Sequence, residues 1–158
     1  MYLFFISINL CIAYFGLYFL FPYFFENKIR KLTSKSFYSI SAIIILSLIG
    51  YHISAIIPNF ELSNRFLHAF GGGFMGFFVC FLVAKDSLVK ISKFKFLLFS
   101  AMIVLTLGIG NEIMEFTLQN TTSMIFSTHI NDTWLDLISN TVGVLVGALC
   151  FTPFIQKH

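Results

Sequence analysis

The chain has 158 residues, of which 58% are apolar and only 11% charged, with a formal net charge of +3. A soluble domain carries about 25% charged residues, so this composition excludes a water-soluble globular protein and makes lipid the solvent. Cys11, Cys80 and Cys150 stand alone inside apolar runs, which excludes a disulfide framework and a thiolate metal cluster.

A helix needs about 20 apolar residues to cross the hydrocarbon core. Five stretches meet this: 2–25, 37–57, 65–84, 96–118 and 132–151. They predict an all-α membrane protein, a single-domain bundle of five transmembrane helices. The first stretch lacks a basic leading region and a small-residue cleavage site, so it reads as a retained helix rather than a signal peptide. The connection after it carries Lys28, Arg30, Lys31 and Lys35, and the second helix has His52 near its far end. The third helix carries Arg65, His68, Gly72 and Gly76, and Lys85, Lys90, Lys93 and Lys95 follow. On the fourth helix stand Gly108, Glu112, Glu115 and Gln119. The next connection holds an apolar Met124-Ile125-Phe126 suited to the interface, then His129. The fifth helix carries Asp132, Asp136, Asn140, Gly143 and Gly147, with Trp134 as an interfacial anchor, and Lys157 lies in the tail.

The basic residues set the orientation. Nine of the ten fall in the first connection, the third connection or the tail, and only Arg65 lies on the other side. The positive-inside rule then predicts a cytoplasmic C-terminus and an N-terminus outside. These cations meet anionic lipid headgroups, so membrane lipids, not nucleic acids, are the expected partners. The expected location is the bacterial cytoplasmic membrane.

On the last three helices the polar residues recur every three or four positions, which aligns them on one helix face. Gly72 with Gly76, and Gly143 with Gly147, form small-xxx-small pairs that allow close helix approach. The topology puts His68, Glu112, Glu115 and Asp136 at one depth in the outer leaflet, with His52 and His129 near that level. Ionisable groups in a membrane face a cavity or a partner, and four carboxylates with one arginine repel. Either some stay protonated or a metal ion neutralises them. Three readings stay open. The first is a divalent metal site built from His68, Glu112, Glu115, Asp132 and Asp136. Glu112, Glu115 and Asp136 would do acid/base work, and Arg65 and Asn140 would hold an anionic substrate such as a phospho- or isoprenoid-lipid headgroup. The second is a small-cation or proton binding protein. The third is a non-catalytic accessory protein whose cluster locks the helices, with Asp132 as N-cap and Asn140 as interhelical glue.

The segments Asn64-Arg65-Phe66-Leu67-His68-Ala69-Phe70-Gly71-Gly72-Gly73, Asn111-Glu112-Ile113-Met114-Glu115-Phe116 and Asn131-Asp132-Thr133-Trp134-Leu135-Asp136-Leu137-Ile138-Ser139-Asn140-Thr141-Val142-Gly143 together resemble the VanZ-like and YjdF-like membrane proteins over 64–150. The Glu-xx-Glu and Asp-Thr-xx-Asp forms are nearer the YjdF-like version. The resemblance implies a cell-envelope role and makes His68, Glu112, Glu115, Asp132 and Asp136 the motif residues.

Overall fold

The structure, a computed structural model, describes residues 2–122 and 130–155, with side chains for 7–122 and 131–155. The described residues form five long helices: α1 (Tyr2–Glu26), α2 (Ser34–Ile56), α3 (Phe60–Asp86), α4 (Lys93–Thr121) and α5 (Ile130–Phe151). A 3-10 turn, Thr152–Phe154, follows. All five helices are long and apolar enough to cross a membrane, as the hydropathy pattern requires. Four begin before their apolar stretches, and at two of these a polar cap marks the start. The Asn59 side chain accepts a hydrogen bond from the Leu62 N–H at the start of α3, and Ser92 accepts one from Lys95 N–H before α4. Asp132 lies inside the first turn of α5 and is not its cap. There its charge complements the helix dipole.

α3 is not a uniform α-helix. His68–Phe74 forms a wider π-helical turn containing Gly71, Gly72 and Gly73. This turn shifts the glycine register relative to an ideal α-helix. A Cβ on Gly143 of α5 would strike the Ala69 carbonyl, and one on Gly73 would strike the Asn140 carbonyl and lie 2.8 Å from Gly143 Cα. The backbone contact between α3 and α5 therefore runs through Gly73 and Gly143. Gly72 faces the Asn140 side chain, and Gly76 faces Val104 of α4. The pairing expected from Gly72 and Gly76 is corrected in this respect. Gly147 packs on Phe77, as a close-approach position should.

The apolar core lies toward one end of the bundle, around the fully buried Tyr14, Tyr18, Phe21, Phe77 and Phe96. The lysine-bearing connections lie at this end, which is called the lysine-rich end below. There Glu26, closing α1, accepts from the Lys90 N–H at 2.7 Å and pairs with Arg30 at 2.8 Å. Asp86 is buried nearby, accepting from Tyr14 Oη at 2.6 Å and Ser39 Oγ at 2.5 Å. α2 packs through a small-residue face of Ser36, Ser39, Ser47, Gly50 and Ser54, and the Phe70 ring covers Gly50.

Candidate functional site

The polar stripes of α3, α4 and α5 meet at the end of the bundle away from the lysines. Their side chains divide into two groups that share His68. The first is a clasp between α3 and α5. Arg65 reaches both Asp132 and Asp136 with its two terminal nitrogens, and Nη1 also donates to the Asp132 carbonyl at 3.3 Å. Asn64 Nδ2 donates to Asp136 Oδ1 at 3.3 Å, and His68 Nε2 lies 3.2 Å from the same oxygen. Three side chains of α3 thus converge on one buried carboxylate oxygen. This satisfies the rule that buried charges are paired.

The second group lies between α3 and α4. His68 Nδ1 is 4.0 Å from Glu112 Oε1. His68, Glu112 and Glu115 each offer a ligand atom, and these atoms lie within 4.8 Å of one another. Glu112 and Glu115 are one turn apart on α4, and Asn111 Nδ2 donates to Glu115 Oε1 at 2.8 Å. Glu112 is buried, and its Oε1 has no hydrogen-bond partner among the described residues. A buried acceptor without a donor is destabilising, so Glu112 Oε1 is the unsatisfied atom of this group.

Asn140 stands one turn below Asp136 on α5. Its side chain fits where Gly72 and Gly108 lack a Cβ. It is buried, and its Oδ1 has no partner among the described residues. Asn64, His68, Asn111 and Asn140 line a cavity of about 500 Å³ between α1, α3 and α4.

All the predicted site residues with described side chains lie in this region, in different roles. His68, Glu112 and Glu115 form the open trio. Asp132 and Asp136 are held by Arg65, which leaves that guanidinium engaged with carboxylates rather than turned to a ligand. His52 is exposed on α2 beside the Tyr51 ring. His129 and the Met124-Ile125-Phe126 segment lie outside the described residues. Two contributors escaped the stripe analysis. Asn111 stands four residues before Glu115, a spacing that brings side chains together on a helix. Asp86 lies beside Lys85 at the end of α3 and reads as a loop residue, yet it is buried.

An all-helical membrane protein, with its ionisable residues gathered between three spans, is the class that the fold and this site define. The chain belongs to the DUF2238 family of predicted membrane proteins, whose model matches residues 4–157. No curated protein and no solved structure matches it.

Proposed function

We propose that the protein holds a divalent metal ion on His68, Glu112 and Glu115 in the outer leaflet, and that the ion receives the anionic headgroup of a membrane lipid. The observation that carries this is the trio itself, with donor atoms within 4.8 Å and a buried, unpartnered Glu112 oxygen. Two ligands on a tetrahedral ion at about 2.0–2.2 Å stand about 3.4 Å apart. The side chains therefore need to close by roughly an ångström. One imidazole with two carboxylates suits manganese, zinc or iron. Asp136, against Nε2, would orient the ring as metal-bound histidines are usually oriented, leaving Nδ1 as the ligand atom. A bound ion can polarise a phosphoryl oxygen. With Arg65 engaged by two aspartates, the ion would be the site's uncommitted positive charge. The charge bias supports an outer-leaflet site in a bacterial cytoplasmic membrane, and the YjdF-like resemblance fits the family membership. The Arg65 clasp favours a structural role for Asp132 and Asp136.

The test is elemental analysis of purified protein after equilibration with manganese or zinc and removal of free ion. The wild type should retain about one ion per chain. His68→Ala and Glu112→Gln should lose it, while Asp132→Asn keeps it. A wild type that retains none ends the proposal.

A further inference from the structure

We infer that the cavity beside this site takes one acyl chain of a membrane phospholipid, which enters sideways between α1 and α4. The inference rests on the headgroup-binding reading above. At about 500 Å³, the cavity lies in the usual range for ligand pockets, roughly 300–1,000 Å³. It is elongated: the lining residues Ile103 and Met114 of α4 are about 16 Å apart along the helix, at about 1.5 Å per residue. One end is polar, with Asn64, His68 and Asn111, and the other is walled by Leu17, Val79 and Ile103. A chain with its headgroup at the trio would therefore run its tail toward the apolar end.

The mouth opens on the bilayer. Ile12 of α1 and Leu107 and Met114 of α4 line the cavity, yet they are 63%, 56% and 51% exposed. A residue that both lines a cavity and faces outward marks its opening. Nearer the lysine-rich end the gap is shut, because the Phe99 ring of α4 packs on Phe21, Phe24 and Phe25 of α1 at centroid distances of 5.6, 5.9 and 5.0 Å. Away from that clamp the two helices stand on opposite sides of the cavity. Gly110 lines it there, and a Cβ on Gly110 would meet nothing within 4 Å.

A mouth in this wall faces hydrocarbon, so its occupant is apolar. A membrane-spanning partner helix, about 30 Å long, would overrun the slot and meet the Phe99 clamp that closes it. A single chain fits. Lipid tails are as apolar as the walls, so the chain gains little by leaving the bilayer. The slot then selects and aligns the lipid, and the headgroup supplies the hold. Asn140 lies in the cavity wall below His68, where the polar linkage of the lipid would pass.

The experiment reconstitutes the full chain in phosphatidylcholine vesicles containing phosphatidylglycerol with a photoreactive group on one acyl chain. Adducts are mapped by peptide mass spectrometry. Labelling of Ile12, Ala13, Leu107 and Met114 should exceed that of the exposed reference residues Ile45 and Leu149 several-fold. Gly110→Leu, whose Cβ meets nothing within 4 Å and whose side chain starts in the mouth, should reduce it to the reference level while melting no lower than wild type. Uniform labelling, or labelling unchanged in Gly110→Leu, overturns the slot. Displacement by a polyprenyl phosphate but not by unlabelled phosphatidylglycerol overturns the acyl assignment. A wild type that binds no metal but labels the slot loses the metal reading and keeps the slot. One that binds metal and labels uniformly loses only the slot.

Discussion

Two glycines on the helices invite the same substitution and should answer with opposite signs. A methyl on Gly143 would land on the Ala69 carbonyl, with Phe74 N 2.8 Å away. Both obstacles are backbone, so no side chain can swing aside. α3 and α5 would have to separate by well over an ångström to restore ordinary contacts of about 3.5–4.0 Å. Overpacking of this kind costs about 1–3 kcal/mol, occasionally more, and a backbone clash belongs at the upper end. Replacing glycine by alanine in a helix returns about 1 kcal/mol. Gly143→Ala should therefore destabilise by about 2 kcal/mol. At Gly110 a methyl meets nothing within 4 Å, so only the propensity gain of up to about 1 kcal/mol remains. Thermal unfolding of both variants in one detergent reads the difference. At about 2–4 °C per kcal/mol, the Gly143→Ala midpoint should fall by several degrees and that of Gly110→Ala should hold or rise. Equal shifts of the two midpoints would refute the backbone contact between α3 and α5.

Arg65→Met leaves the buried Asp136 carboxylate with only Asn64 and His68 beside it. It should destabilise by about 3 kcal/mol, the scale for breaking a buried pair. Asp132→Asn, at a half-buried carboxylate, should cost under about 1 kcal/mol in the same melts; equal losses would contradict the clasp. Tyr14→Phe removes one of the two donors to the buried Asp86 and should cost about 1–3 kcal/mol. Adding Asp86→Asn should recover part of that loss, which a double-mutant cycle of melting data measures. For sidedness, Lys28→Cys and Glu61→Cys in a background without the native cysteines should differ toward an impermeant maleimide added to intact cells. Glu61→Cys should react directly, and Lys28→Cys only after permeabilisation.

Much of this architecture was legible because a bilayer imposes a length and a polarity on each helix. Five apolar runs gave five helices, and three- and four-residue spacings brought His68, Glu112, Glu115 and Asp136 together. Depth and periodicity do not say which charge takes which partner. Asp132 and Glu112 sit in equivalent stripes, but Arg65 reaches only the aspartates, because α3 packs on α5 through Gly73 and Gly143 at backbone distance. The π-helical turn was invisible for a related reason. Gly71, Gly72 and Gly73 permit several turn geometries, and only packing against Asn140 and Val104 selects one. Asp86 went unread because its partners, Tyr14 and Ser39, come from two other helices.

The two halves of the cluster meet in one imidazole, and this allows them to be separated. Nε2 of His68 faces Asp136, and Nδ1 faces Glu112. His68→Gln carries an amide nitrogen that can take the place of Nε2 as a donor to Asp136, but it has no counterpart of Nδ1. The metal-free stability should therefore stay within about 1 kcal/mol of wild type, since one buried hydrogen bond is exchanged for another. Its response to metal should differ. At an ion concentration about 100 times the dissociation constant, a bound ion stabilises the wild type by about 2.7 kcal/mol, and His68→Gln should lose most of that gain. His68→Ala should lose the gain and also melt lower without metal, because Asp136 then lacks a neighbour on that side. A full metal-induced shift in His68→Gln would mean that Nδ1 is no ligand, and the trio would have to be redrawn without it.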